Sequence, residues 1–557
     1  MINWINVQLN SMFAPHRYYY LHNFQRALEV VTDRYADLLD DDERAFQVNF
    51  VRLPPLSQAL FVRMAMRRGP WFRASRLIYE EIPDLRAAAE PLVSLGWLDA
   101  QAPMALGELF DICTMPELRS RFAAHASPGL RKSEWLAMLR EHHDDARTYG
   151  QWCPDSDDLA WRFMLGDHCD RLRLMFFGNL RQDWSEFVLA DLGVFRYESV
   201  AFDTESRAFQ ARADIDRYLT LHACREALES DTAIDEVVAM VQACTSENTW
   251  LEQRRAKTLL RIGQACERAQ DWDRAYRVYE QCAYPGARHR RIRVLERMGC
   301  HGDALELALT AQATPESEAE SQALSRMLPR LRRHAGQPAC ARTTTPAPVR
   351  LDLTLPRPVE PLSVEYVARD HLHSDAAPVF YVENTLINSL FGLLCWQAVF
   401  APLPGAFFHP FQRGPADLRA PDFAARRADL FAASLVQLES DAYRDTIWRH
   451  YSDKSGVQSP FVFWGTLSEP LLRMALECLP AAHLKLFFMR MLQDISHNRT
   501  GLPDLIQFWP SENRYELIEI KGPGDKLQDN QIRWLQYCSL HGIPAHVCHV
   551  QWVEDQA

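Results

Sequence analysis

The chain has 557 residues, 47% hydrophobic and 24% charged; this is an ordinary globular composition, and the length calls for three or four domains rather than one core. A formal net charge of −12 excludes a uniformly basic nucleic-acid binder and leaves any such contact to local basic faces. Thirteen cysteines stand singly, with no Cys-x-x-Cys pair, which removes support for a zinc ribbon or a redox dithiol. Met1 to Phe13 has neither the basic segment nor the apolar run of a secretory signal. The apolar stretch Leu390 to Phe408 contains Gln397 and is broken by Pro402, Pro404 and Gly405, so it reads as a buried helix and loop rather than a span. A cytoplasmic protein without membrane attachment is expected.

Residues 1–105 are expected to be a helical region with a hairpin late in the segment. Pro54-Pro55 opens an apolar-periodic helix, Leu56 to Arg68, that ends at Gly69-Pro70. Arg63 and Arg67 share one face, Arg68 follows, and Arg73 and Arg76 come next with Trp71 and Phe72 between. Arginines interleaved with aromatics suit nucleic-acid contact; a solvated helix face is the alternative. In residues 106–145, Thr114-Met-Pro-Glu117 has the capping-box pattern and opens a helix to His125. Arg131-Lys132 leads into a second helix, Glu134 to His142, which could set cations and backbone N–H groups against phosphates.

Residues 146–335 are expected to be a helical region, within which 215–330 read as helical hairpins. Gly263, Asp271-Trp272, Ala275 and Tyr279 fall at the spacings of tetratricopeptide-type repeats, and Gly302-Asp303 repeats the helix opening. Arg288, His289, Arg290, Arg291, Arg293 and Arg297 form a basic run with few acids nearby in sequence, read as facing phosphate in preference to the alternative of a merely solvated helix. Residues 336–363 carry six scattered prolines from Pro338 to Pro361 and read as a stiff linker. A C-terminal domain, 364–557, follows.

Within it, Pro503 to Trp509 and Arg514 to Lys521 are strand candidates around Pro510-Ser-Glu-Asn513. If Ser511 and Glu512 form a two-residue loop, Pro510 pairs with Asn513, and equal steps along both strands bring Asp504 opposite Glu519. Opposed residues share a sheet face with Cβ atoms ~5 Å apart, and Lys521, two residues on, shares it too. Two opposed carboxylates repel unless neutralised, and a hard divalent cation such as Mg²⁺ binds through such a pair plus water and phosphate oxygens. Lys521 can orient a water or hold charge on a phosphate. A surface salt-bridge cluster is the bland alternative. A helix from Asp525 to Leu540 carrying Gln531 and a strand from Ile543 to Trp552 complete a β-β-α-β order, the core of restriction-endonuclease-like nucleases. His546 and His549 fall on opposite faces of that strand and make a poor metal pair.

These residues carry a resemblance. Arg499-Thr-Gly-Leu-Pro503-Asp504, Glu519-Ile-Lys521-Gly-Pro523, Gln531 and Trp534-Leu535 resemble the VRR-NUC nuclease domain and, more narrowly, the Fanconi-associated nuclease family. The likeness extends upstream through Glu383-Asn-Thr-Leu-Ile-Asn to Trp396 and Pro410-Phe-Gln412 to Leu418, and more weakly over a SAP-like unit and the helical repeats. The resemblance implies a multidomain, mostly α protein: a helical N-terminal DNA-binding region, a SAP-like two-helix unit, tetratricopeptide-like repeats and a C-terminal α/β restriction-endonuclease-like domain of the PD-(D/E)xK type. It implies a phosphodiesterase I-type enzyme, a 5′-flap endonuclease and 5′→3′ exonuclease on flapped or branched duplex DNA, serving DNA repair including interstrand crosslinks. It further implies two Mg²⁺ or Mn²⁺ ions. Asp504, Glu519, the Ile520 carbonyl and Glu383 would be ligands, Lys521 the catalytic lysine, and Gln531 a supporting residue. At Glu383 the family's Glu-Gly-Ser reads Glu-Asn-Thr here. Eukaryotic members add a ubiquitin-binding zinc finger whose cysteine pattern this sequence lacks, so a bacterial-type member is expected. A nuclease of other substrate choice (four-way junction or single strand) and a non-enzymatic repeat scaffold are the competing readings.

Overall fold

The computed structural model describes residues 17–67, 69–123, 130–143, 145–182, 195–230, 232–338, 349–358 and 361–553. The chain divides into two units, one of residues 1–195 and 209–215, the other of 196–208 and 216–557.

The first unit begins with helices α1 (Tyr19–Tyr35), α2 (Asp41–Arg52) and α3 (Pro55–Ala65). Asp40 and Glu43 cap α2 reciprocally, as a capping box should. Phe24, Phe46, Phe50 and Phe61 pack with ring centroids 5.2–5.9 Å apart at their contacts. The expected local hairpin does not form. Strand β1 (Trp71–Arg73) and, beyond helix α4 (Leu85–Ser94), strand β2 (Leu98–Asp99) each pair with a later strand, β3 (Ala160–Phe163). The SAP-like segment between them holds three helices rather than two: α5 (Leu106–Ile112), α6 (Met115–Arg121) and α7 (Lys132–Arg140). They enclose Phe110, Phe122, Trp135 and Trp152. The helix α8 (Gly166–Phe177) returns to α2, with Arg171 Nε 2.8 Å from Glu43 Oε1. The described residues from 146 to 182 therefore belong with the N-terminal unit and not with the repeats, because β3 and α8 find their partners there.

The second unit contains a run of helices α9 (Ile234–Ala243), α10 (Thr249–Arg268), α11 (Trp272–Glu280), α12 (Ala287–Arg297), α13 (His301–Ala313) and α14 (Glu318–His334), each packed on the next. The repeat spacing has a steric cause. A Cβ at Gly263 on α10 would lie 2.4–2.8 Å from the Tyr279 ring of α11, so only glycine lets these two helices approach. Asp271 Oδ1 caps α11 by accepting from Arg274 N at 3.1 Å, and Ala275 is fully buried.

A five-stranded sheet follows, ordered β4-β8-β7-β6-β5. Strand β4 (Val349–Leu355) lies inside the expected linker and runs parallel to β8 (Ala545–Trp552) over seven pairs. Residues 339–348 and 359–360 of that linker lie outside the described residues. After helix α15 (Val364–Leu372), strands β5 (Val379–Tyr381), β6 (Leu505–Trp509) and β7 (Arg514–Lys521) are antiparallel neighbours. Between β5 and β6 a helical layer, with α16 (Leu386–Leu394), α17 (Ala442–Asp453), α18 (Glu469–Cys478) and α19 (Ala481–Gln493), builds the core on one sheet face. Helix α20 (Asp529–Leu540) links β7 to its parallel partner β8. Among the described residues no helix is long and apolar enough to cross a membrane.

An Ala at an ordinary helical glycine stabilises by about 1 kcal/mol, but overpacking a filled site costs ~1–3 kcal/mol. Tyr279 is buried and its hydroxyl is tied to Glu267, so the ring has little room to retreat. Gly263→Ala is expected to destabilise the protein by about 1–2 kcal/mol, read as a lower denaturant midpoint. A midpoint equal to or above that of the parent would show that the helices are not held at this approach.

Candidate active site

The β6–β7 ladder runs from Leu505↔Ile518 to Trp509↔Arg514. This is the register the sequence anticipates, although the turn differs. Pro510–Glu512 forms a 3₁₀ turn and Asn513 adopts φ +48°, so four residues rather than two reverse the chain. Both loops keep the same pairing arithmetic, and the carboxylates still meet.

Asp504 sits one residue before β6. Its carbonyl accepts from Val382 N at 2.8 Å and its Oδ2 from Ile520 N at 2.8 Å, which fixes it against β5 on one side and β7 on the other. Glu519 is 0% exposed, Asp504 6% and Lys521 8%. Glu519 Oε1 lies 2.8 Å from Lys521 Nζ and accepts from Gln531 Nε2 of α20 at 2.6 Å. Its other oxygen, Oε2, is buried with no hydrogen-bond partner. Burial pushes both acidic groups above the ordinary carboxylate range; for Glu519 the negative charge of Asp504 adds to this and Lys521 opposes it, and for Asp504 the Ile520 N–H opposes while Glu383 adds. One ammonium beside two inward carboxylates leaves the cluster short of positive charge.

Glu383 stands at the rim, exposed, with Oε2 accepting from the Tyr381 hydroxyl at 2.5 Å and Oε1 from Asn384 Nδ2 at 3.2 Å. The departure from Glu-Gly-Ser is explained here. Asn384 has φ +52°, a left-handed conformation that Asn tolerates best after Gly. Its Oδ1 also accepts from Leu502 N at 3.1 Å, and Thr385 Oγ1 donates to Val382 O at 3.1 Å. Gly501, at φ +88°, lets the chain pass Asn530 of α20 where a Cβ would be 2.8 Å from its backbone. Tyr381 and Asn384 were not singled out from sequence; the positive-φ requirement behind Glu-Gly/Asn was the available signal for the second.

Among the described residues no three His, Cys, Asp or Glu side chains are already gathered as a chelate. The donor set nevertheless fits a hard divalent cation on two counts: an orphaned, buried carboxylate oxygen, and two carboxylates whose ionisation lacks enough countercharge. Asp504, Glu519 and the Ile520 carbonyl would be the inner donors and Glu383 an outer one.

The basic residues proposed for DNA divide differently. Arg63 is ion-paired with Glu81 at 2.5 Å and stacked on Tyr20. Arg73 is buried between Glu117 and Asp158, 2.8 Å from each. Arg288 pairs with Glu320 at 2.6 Å, Arg290 with Glu267 at 3.0 Å and Arg291 with Glu280 at 2.5 Å. Each of these five has an acid from a neighbouring element as its ion-pair partner, which the sequence run alone does not show. Lys132 Nζ donates to Cys113 O at 2.9 Å. Arg67 and Arg131 remain exposed, and Arg68 lies outside the described residues.

A sheet of this order with an acidic pair and a lysine at one strand end defines a nuclease of the PD-(D/E)xK class. Residues 438–552 match the VRR-NUC domain, 18–99 the FAN1 HTH domain and 103–152 the Fanconi anemia-associated nuclease SAP domain. The chain is 52% identical over 548 residues to the Fanconi-associated nuclease 1 homolog of Pseudomonas aeruginosa, covering 98% of each. It is 26% identical to the homolog of Oryza sativa and 23% to the Homo sapiens Fanconi-associated nuclease 1, spanning 64% and 62% of their lengths. A solved structure of paFAN1 bound to 2nt 5′-flap DNA with gap superposes with a TM-score of 0.90 at 52% identity, covering 98% of this chain and 100% of that one; its counterpart with a 1nt flap gives 0.88. The chain belongs to the Fanconi-associated nuclease family.

The raised carboxylates give a signed expectation for the metal-free protein. The native state holds protons that the unfolded state releases at the ordinary values of 3.8 and 4.5, so their stabilising contribution is complete below those values and is lost as pH rises through the raised native ones. With chelator present, the thermal midpoint of the parent relative to Glu519→Gln should fall progressively from about pH 5 to about pH 8. A difference that is flat across that interval would show Glu519 to be ordinarily ionised.

Proposed function

We propose that this chain is a divalent-metal-dependent, structure-selective DNA nuclease that incises near 5′ flaps and degrades from 5′ ends, in repair of branched DNA and interstrand crosslinks in the bacterial cytoplasm. The single observation that carries the chemistry is the buried Asp504–Glu519–Lys521 cluster with one carboxylate oxygen unpartnered. The 5′-flap substrate is supported by the likeness to paFAN1 bound to such DNA.

In this reading Asp504, Glu519, the Ile520 carbonyl and Glu383 would hold Mg²⁺ or Mn²⁺, two ions in all, which would supply Lewis-acid charge at the phosphate and make water there a better nucleophile. The protein's own residues set the geometry. Gln531 donates to Glu519 Oε1 and so leaves Oε2 directed into the site. The Ile520 N–H fixes one Asp504 oxygen, leaving the other free to act as donor. Lys521 holds its ammonium beside the scissile phosphate, where it stabilises developing charge and orients the attacking water. Tyr381 and Asn384 keep Glu383 at the rim. Of the basic residues singled out in the N-terminal unit, Arg67 and Arg131 are exposed and available to duplex phosphates.

End-labelled 5′-flap, 3′-flap and four-way junction DNA, each with Mn²⁺, Mg²⁺ or chelator, tests the reading. The 5′ flap should be cut best and only with metal. Asp504→Asn and Lys521→Ala should each lose at least about 100-fold in rate, while flap binding in chelator persists. Parental cleavage by either variant would remove the assignment, and equal cutting of all three substrates would remove the flap preference alone.

A further inference from the structure

Four exposed arginines without an acid partner among the described residues converge in an open groove of about 770 Å³ across the repeat helices α10 and α12. Arg261 and Arg268 project from α10, and Arg293 and Arg297 from α12. All four are exposed, and none makes a side-chain hydrogen bond or ion pair among the described residues. Arg261 and Arg268 are two helical turns apart, ~10 Å along the axis, and Arg293 and Arg297 are one turn apart on the facing rail. Two acids lie in the same groove: the charge of Glu267 is already met by Arg290, which leaves Glu229 alone against the four arginines. Trp272, partly buried, supplies an aromatic wall. In a chain of net charge −12, such a local excess of unpaired guanidinium is against composition.

We propose that this groove binds single-stranded DNA by its phosphates, as a strand-holding site separate from the catalytic cluster; the assignment rests on the nuclease reading for its choice of ligand. Four unpaired guanidinium forks in two rails suit phosphate oxygens, which accept bidentate N–H pairs. A strand running between the rails can lay a base on Trp272 without sequence preference. The groove is also mechanically joined to the chemistry. The last repeat helix, α14, clamps the first turn of α20: Arg326 makes paired bonds to Asp529 at 2.6 and 2.7 Å, and Arg533 donates to Gln322 at 2.6 Å. That same turn carries Gln531, the partner of Glu519, so a strand held on the repeats is held by the body that positions the active site.

Fluorescence anisotropy of a labelled oligothymidylate with the full-length chain in chelator, over a series of salt concentrations, tests this without cleavage. Arg261→Gln/Arg293→Gln and, independently, Arg268→Gln/Arg297→Gln should each weaken binding and lower the salt slope of log Kd by about 1.4, two phosphate contacts at ~0.7 each. Arg277→Gln, exposed on α11 outside the groove, should leave the slope unchanged. The two pairs guard against one failing to fold, which circular dichroism reads. Unchanged affinity and slope in both folded pairs would overturn the proposal even if metal-dependent cleavage is intact. Tighter binding of an acidic polyglutamate peptide than of oligothymidylate, lost in the same variants, would overturn it in favour of a protein ligand.

Discussion

Two carboxylates lie buried at one end of a hydrogen-bonded hairpin with a single ammonium beside them, and the structure around them follows from that. Removing one partner of a buried ion pair costs about 3–5 kcal/mol, so an acid placed here has to keep its proton, hold Lys521, or take up a cation. Glu519 does part of each: Lys521 and Gln531 satisfy one oxygen, burial raises its pKa, and the second oxygen is left unmet. A purely structural cluster would have used that oxygen. The unmet valence is what separates this site from the other buried acids, such as Glu43, which is held by Arg171 and Arg212 and whose pKa is lowered despite burial.

The scaffold holds this arrangement from three directions. Strand β5 delivers Val382 N to Asp504 and, one residue later, Glu383 to the rim. The left-handed Asn384 turns the chain into α16 while bonding Leu502 ahead of Asp504. Gly501 then allows the same loop to pass under Asn530, bringing α20 close enough for Gln531 to reach Glu519. Three elements far apart in sequence thus share one small volume, and each is anchored by a backbone hydrogen bond or a close approach rather than by surface charge.

What could be read from sequence follows a simple division. The Asp504–Glu519–Lys521 constellation was legible because ladder register and side-chain alternation are local, and a four-residue turn preserves the pairing that a two-residue one implies. The repeats were legible from Gly263, Asp271 and Ala275 for the same reason, since their spacing records one helix–helix contact. Non-local pairing was not. β1 and β2 find β3 more than sixty residues later, and β4 hides between Pro348 and Pro356 as an exposed edge strand whose alternation of Val349, Leu351 and Leu353 with Arg350, Asp352 and Thr354 was masked by proline density. The ion pairing was hidden likewise: Arg288 and Glu320, or Arg73 and Asp158, are remote in sequence, so a run that looks unbalanced in one dimension is partly balanced in three. The four unpaired cations of the repeat groove, at 261, 268, 293 and 297, are spread thinly over two helices and show no cluster until those helices pack.

The measurement that bears most directly on the buried acidic pair is an anomalous difference map from a crystal of the protein equilibrated with Mn²⁺. A peak against Asp504, Glu519 and the Ile520 carbonyl, absent in Glu519→Gln, is the outcome these side chains require. An empty cluster under saturating Mn²⁺, with both carboxylates keeping their metal-free contacts, would contradict it.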